Sequence, residues 1–147
     1  MINIINARQG NYIYFYRLMS VKFPREEKLK SKKHIQLLFD EGSAISDFPL
    51  KLIYHKIDKE GNVALKMAVT VPKKKFKSAV HRNRIKRLIR ETYRLHKTEI
   101  FNKIEGSYAL LFLYLGKEMP EYATVEKHMI KILELFLKRV QNEKIAE

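Results

Sequence analysis

Arg82, Asn83, Arg84, Lys86, Arg87, Arg90 and Arg94 crowd into one short stretch, and the chemistry they offer is the charge-assisted binding of phosphate. A guanidinium can hold two phosphate oxygens at once, and an ammonium acts as a point charge. Ten of the 30 Lys and Arg residues fall between Lys73 and Arg94, a span whose single acid is Glu91. On a helix, at about 100° per residue, Ile85, Leu88, Ile89, Thr92 and Leu95 gather on one side. Asn83, Arg87, Arg90 and Arg94 gather on the other, with Arg84 and Lys86 at its flanks. Surface helices normally intersperse Glu among their cations to gain pairs one turn apart. Here the face opposite the core is kept clear of acids. Lys73, Lys74, Lys75 and Lys77 precede the helix, whose first amides add positive potential nearby. A solvated charged face is the plain alternative; a polyanion surface accounts better for the segregation.

Groups able to cleave a bond are scarce. His34, His55, His81, His96 and His128 show no ligand spacing, and Asp40, Asp47 and Asp58 sit in or beside expected turns. The five glycines are scattered and form no phosphate-cradling loop. No local cluster has the make-up of a protein-based nuclease site, so no catalytic side chain and no metal ligand is assigned. A second candidate surface combines Ile35 and Phe39, one helical turn apart, with Tyr54 between Lys51 and Lys56. Such a set could stack and track a single strand. On spacing alone these apolar residues read as core.

The chain that must position these groups has 147 residues, a net charge of +14 and 46% hydrophobic residues. That is one domain with one core, and a charge that calls for an anionic partner, nucleic acid before membrane surface. The absence of Cys removes disulfides and thiolate chemistry and fits a reducing cytoplasm. No apolar run approaches the length of a spanning helix. Residues 1–22 read as an N-terminal extension, disordered or containing an alternative start at Met19 that would make residues 1–18 optional. Residues 23–141 form the domain, and 142–147 a tail.

Ser31 caps an expected helix that runs to about Asp40 and stops at Gly42. A loop from Gly42 to Pro49 leads into a strand, Leu50 to Ile57. Lys59-Glu60-Gly61-Asn62 then turns the chain into a second strand, Val63 to Val71, so the two read as an antiparallel hairpin. Ser78 caps the basic helix, which ends near His96. Tyr108 to Leu115 is a central strand. A last helix spans about Thr124 to Val140, with Val125, Met129, Ile132, Leu133, Phe136 and Val140 on one face. The order α-β-β-α-β-α predicts a small α+β sandwich. Because the basic helix lies between strands, with no helix-turn-helix before it, RNA read by shape and backbone is favoured over DNA.

The stretch VPKKKFKSAVHRNRIKRLIRETYR, Val71 to Arg94, closely resembles the signature of the bacterial ribonuclease P protein subunit, with Arg82-Asn83-Arg84 at its centre. Phe23 to Leu29 resembles that family's leading segment, and the likeness covers roughly residues 23–140. The resemblance implies a ribosomal protein S5 domain 2-like fold with a left-handed βαβ crossover, against the usual rule. It implies a protein that binds one catalytic RNA in a 1:1 ribonucleoprotein and assists endonucleolytic removal of the 5′ leader from precursor tRNA. Catalysis would reside in the RNA, with magnesium bound mainly by that RNA and the substrate. The RNA would be held by Lys73, Lys74, Arg82, Asn83, Arg84, Lys86, Arg87, Arg90 and Arg94. The leader would lie in a cleft lined by Ile35, Phe39, Lys51 and Tyr54. No membrane and no obligate protein partner are implied, and the cytoplasm is the expected location. A non-enzymatic, ribosome-associated RNA-binding protein on the same fold is the alternative. The chain departs from the family pattern at Ile35, where an aromatic is common, at Lys28, where Arg is usual, and at Phe76-Lys77, where many members have Gly.

Overall fold

The computed structural model describes residues 25–58 and 63–146. A 3-10 turn at Arg25–Glu27 leads into α1 (Lys32–Glu41), β1 (Ser43–Asp47), β2 (Leu50–Ile57), β3 (Leu65–Thr70), α2 (Ala79–His96), the short α3 (Thr98–Phe101), β4 (Ser107–Tyr114) and α4 (Tyr122–Ala146). The expected extension over residues 1–22, the start of the leading segment at Phe23-Pro24 and the turn at 59–62 lie outside the described residues.

Both capping serines act as expected: Ser31 accepts from the His34 amide at 3.3 Å, and Ser78 from the His81 amide at 3.4 Å. Gly42 ends α1 for a different reason from a left-handed cap. Its backbone is extended, and a Cβ there would lie 2.3 Å from the Leu38 carbonyl oxygen and 2.6 Å from Ile53 Cγ2. Only a residue without a side chain lets the chain pass so close to β2. Past Val140, where the last helix was expected to end, α4 continues to Ala146; no Gly or Pro interrupts it.

The strands are ordered β1-β2-β4-β3. This corrects the expected hairpin. β2 and β3 do not pair, because β4 lies between them, antiparallel to β2 and parallel to β3. The cause is the composition of β4. Its residues Tyr108 to Phe112 and Tyr114 are all buried, and a strand that apolar needs a neighbour at each edge and cover on both faces. β1 is a strand where a loop was expected. It pairs antiparallel with β2 and buries only Ile45. One apolar residue among Ser, Ala and Asp gives too little alternation to announce an edge strand. At the opposite edge, Lys28 bridges Met67 in parallel, and the Leu29 amide donates to the Met67 carbonyl at 2.9 Å. The outer side of β3 is thereby partly occupied.

Alternation along the strands divides the core in two. One face presents Leu50, Leu52 and Tyr54 of β2, Leu65, Met67 and Val69 of β3, and Tyr108, Leu110, Phe112 and Tyr114 of β4. It packs against Ile85, Ile89 and Tyr93 of α2 and the expected apolar stripe of α4. Rings of Tyr54, Tyr108 and Phe136 meet edge-on at 5.0–6.3 Å between centroids. The other face carries Ala109 and Leu111, covered by Leu29 and Leu38, with Ile35, Ile53, Ile57, Ala68 and Leu113 half-buried around them. Among the described residues α1 is the helix that packs there, across β2 and β4.

Candidate nucleic-acid interface

α2 sits where its two sides have opposite tasks. Ile85, Ile89, Thr92 and Tyr93 are buried against the sheet and α4. Leu88 and Leu95, expected on that side, are half-buried at its margins. The Thr92 hydroxyl is satisfied by donating to the Ile89 carbonyl at 3.0 Å. On the outer side Asn83, Arg84, Arg87 and Arg90 are exposed. Asn83, Arg87, Arg90, Glu91 and Arg94 enclose a shallow recess of about 360 Å³. Glu91 is turned onto Arg94, which donates through Nε at 3.1 Å and Nη2 at 2.5 Å. Those bonds hold the Glu91 carboxyl below its usual range. The recess therefore keeps Arg87 and Arg90 as outward cations, while Arg94 spends part of its charge on its neighbour.

Arg82 has a different place from the other basic residues of the motif. Its Nη1 donates to the Phe76 carbonyl at 2.7 Å and the Lys77 carbonyl at 2.8 Å, and the side chain is half-buried. It holds the loop that leads into α2. Lys75 pins the same loop from the other side, its Nζ donating to the Leu115 carbonyl at 2.5 Å. Immediately before these anchors Lys73 and Lys74 remain exposed, in the loop that leads into α2. Lys86 is half-buried on the helix flank. The far end of α2 is fixed by an ion pair absent from the sequence reading. Lys97 Nζ lies 2.5 Å from Glu27 Oε2, both groups largely out of water, with Lys97 also over the Phe101 ring at 5.3 Å. Burial pushes the Glu27 carboxyl up, and the Lys97 hydrogen bond and charge pull it back.

The second expected surface is only partly assembled. Ile35 and Phe39 of α1 lie on the half-covered side of the sheet, Ile35 half-buried and Phe39 58% exposed. Lys51 shares that side, in a row with Thr70 and Leu113 by strand register. Tyr54 does not. It is 3% exposed on the opposite face, packed on Phe136, and its hydroxyl donates to Glu143 at 2.9 Å. Burial is the main reason its phenol is pushed up. There it borders a cavity of about 840 Å³ beside the end of α4. Residues 51 and 54 differ by three along a strand, so they must point to opposite faces. That parity was available in the sequence and identifies Ile53 as the β2 residue that accompanies Lys51. Lys66, Ala68, Thr70 and Leu113, all half-exposed on the same side, were missed with it.

Two histidines make specific contacts: His128 Nδ1 lies 2.6 Å from Asp47 Oδ2, and His96 Nε2 lies 3.2 Å from Glu126 Oε2. Each ties α4 to a neighbour, β1 in one case and α2 in the other. Among the described residues no three His, Asp or Glu side chains are grouped to hold a metal ion, and no helix is long and apolar enough to cross a membrane.

Comparison with known proteins gives this arrangement a context. A family profile described as Ribonuclease P matches residues 23–136. The ribonuclease P protein component of Porphyromonas gingivalis is 37% identical over 113 residues, covering 74% of this chain and 82% of that protein. That of Dictyoglomus thermophilum is 35% identical over 114 residues, covering 76% and 89%. The RNase P protein of Staphylococcus aureus superposes with a TM-score of 0.59 at 18% identity, over 74% of this chain and 94% of its own. That of Thermotoga maritima superposes with 0.57 at 24% identity, over 78% and 97%. These likenesses extend to the mixed α+β fold with its four-stranded sheet, and the profile and sequence relatives extend to family: the chain belongs to the ribonuclease P protein family.

Proposed function

We propose that this ribonuclease P subunit works by holding two RNAs on separate surfaces while the cleavage chemistry stays with one of them. The observation that carries the reading is the outer side of α2, where Arg84, Arg87 and Arg90 stand exposed with Asn83 beside the pinned Lys73–Lys74 loop. Cations carried on a helix and a double-anchored loop have their backbone fixed before binding, so no backbone ordering is needed to present them to phosphates. A catalytic RNA, in a 1:1 complex, is the partner this surface suits. Lys86 contributes from the flank. Arg82 and Arg94 act partly through the protein, one shaping the loop and the other holding Glu91 aside. Magnesium would be held by the RNA and substrate, which supply phosphate oxygens in quantity. The half-covered side of the sheet, with Ile35, Phe39 and Lys51, offers a shelf to the single-stranded 5′ leader of precursor tRNA. A cytoplasmic location accords with this role.

Reconstitution tests the reading. The protein alone should leave precursor tRNA intact in magnesium, and adding the catalytic RNA should give one cut at the mature 5′ end. RNA-free cleavage would overturn the assignment of the chemistry. Arg87→Ala with Arg90→Ala should weaken catalytic-RNA binding and flatten its log–log salt slope by about 1.4 to 1.8, with thermal unfolding of the free protein little changed. An unchanged slope would remove α2 from the interface.

A further inference from the structure

Phe48 is the most exposed aromatic ring among the described residues, at 70%. A lone apolar side chain at a surface is ordinary, but the surroundings of this one are not. It lies in the turn between β1 and β2, flanked by the paired residues Asp47 and Leu50. The turn is tied down, since the Leu115 amide donates to the Pro49 carbonyl at 2.7 Å. The carbonyl of that same Leu115 accepts from Lys75 Nζ. Two successive hydrogen bonds therefore fasten the Phe48 turn and the basic loop to one end of β4. Lys51 follows one residue after Leu50. Asp47, the acid nearest in sequence, is already engaged, with His128 Nδ1 at 2.6 Å and Lys131 Nζ at 3.5 Å. The result is an uncovered ring on a fixed turn in a cationic neighbourhood whose adjacent negative charge is occupied.

We propose that Phe48 is a stacking platform for one unpaired nucleobase of bound RNA, with the flanking phosphates lying on the Lys73–Lys75 loop. This rests on the reading of that loop as an RNA-binding element and adds a base-contacting residue to it. Every base has a π face, so the contact is tolerant of sequence. Charge complementarity selects RNA over an apolar protein segment, which would gain nothing from Lys51 and the basic loop joined to this turn through Leu115.

The wild-type chain contains no Trp, so Phe48→Trp gives a single indole at the proposed platform. A short oligoadenylate and an abasic oligomer of equal length and charge are titrated at low salt. Stacking predicts quenching by the oligoadenylate and little by the abasic oligomer. Phe48→Leu, which keeps apolar bulk and removes the ring, should lower oligoadenylate affinity about fivefold or more while leaving the abasic oligomer unaffected. Binding with a silent or equally quenched indole, or wild-type affinity in Phe48→Leu, overturns the platform and leaves the basic loop standing. Failure of wild-type protein to bind either oligomer overturns both. A concentration-dependent shift of the indole emission in protein alone assigns the ring to self-association and also overturns the platform.

Discussion

Alternate residues of the same strands reach two different ends. On one face, Phe112, Leu110, Leu52 and Leu65 disappear under α2 and α4. On the other, Leu111 and Ala109 are covered by α1, while Leu113, Lys51 and Thr70 stay half-exposed in one row. Two helices close a face; one helix laid across a four-stranded sheet cannot. The closed side fixes the geometry of α2 and hence of its outward arginines, and the open side keeps apolar and basic groups within reach of solvent. Scaffold and proposed binding shelf are thus separated by a single residue step along each strand.

That separation can be broken most sharply at two consecutive residues of β4. Phe112→Ala should cost about 3–5 kcal/mol in urea unfolding, because a fully buried ring leaves a cavity. Leu113→Ala should cost about 1 kcal/mol, and should weaken precursor binding where Phe112→Ala alters it only through unfolding. Comparable costs at both positions would mean that the open side is closed in solution.

β2 offers the next contrast. Tyr54→Ala should cost about 3 kcal/mol and lower affinity for leader-bearing precursor and mature tRNA alike. Lys51→Ala should leave unfolding nearly unchanged and lower affinity for the precursor alone, by about fivefold. A leader-specific loss from Tyr54→Ala, in protein shown to be folded, would place that ring in the shelf after all.

The smallest effect concerns the contact that ties β1 to α4. The hydrogen bond with His128, then the charges of Lys131 and His128, hold the Asp47 carboxyl below its usual range despite some burial. Its folded pKa lies below its unfolded one, so between the two the unfolded chain binds more protons. The stabilisation is present above the ordinary Asp range and is lost as pH falls through the folded value. Asp47→Asn should therefore remove about 0.5 kcal/mol near neutral pH and make the acid limb of the stability–pH curve shallower. A limb of unchanged slope would show that the contact does not survive in solution.

How far the sequence disclosed all this depended on whether each feature is local. α2 was legible to within a residue, because cap, apolar stripe and basic face all lie within one segment; the face expected to be clear of acids nevertheless includes Glu91, which lines the recess beside Arg94. α1 and the apolar stripe of α4 were legible for the same reason. The position of β4 between β2 and β3 was not, since pairing joins residues such as Met67 and Leu110 that lie far apart in the chain. β1 was hidden by its composition, with Ile45 its only core residue. The shelf was half legible. Ile35, Phe39 and Lys51 share the open side, but Tyr54 was placed with them against strand parity, and Ile53 was passed over. Arg82 shows a different limit. Its type and spacing match its neighbours, and only the carbonyls of Phe76 and Lys77 reveal that it serves the loop.

The short contact of Lys28 and Leu29 with Met67 has a consequence outside RNA binding altogether. β3 ends the sheet on that side, and an uncovered strand of Leu, Met, Ala and Val would be a template for other copies of the chain. The segment that covers it also carries Glu27, the partner of Lys97. A chain trimmed past Leu29 would retain every residue of α2 and of the shelf, and still present an uncovered β3 edge and a buried ammonium, Lys97, that has lost Glu27. Its expected failure is edge-to-edge aggregation, with the RNA-binding residues themselves intact.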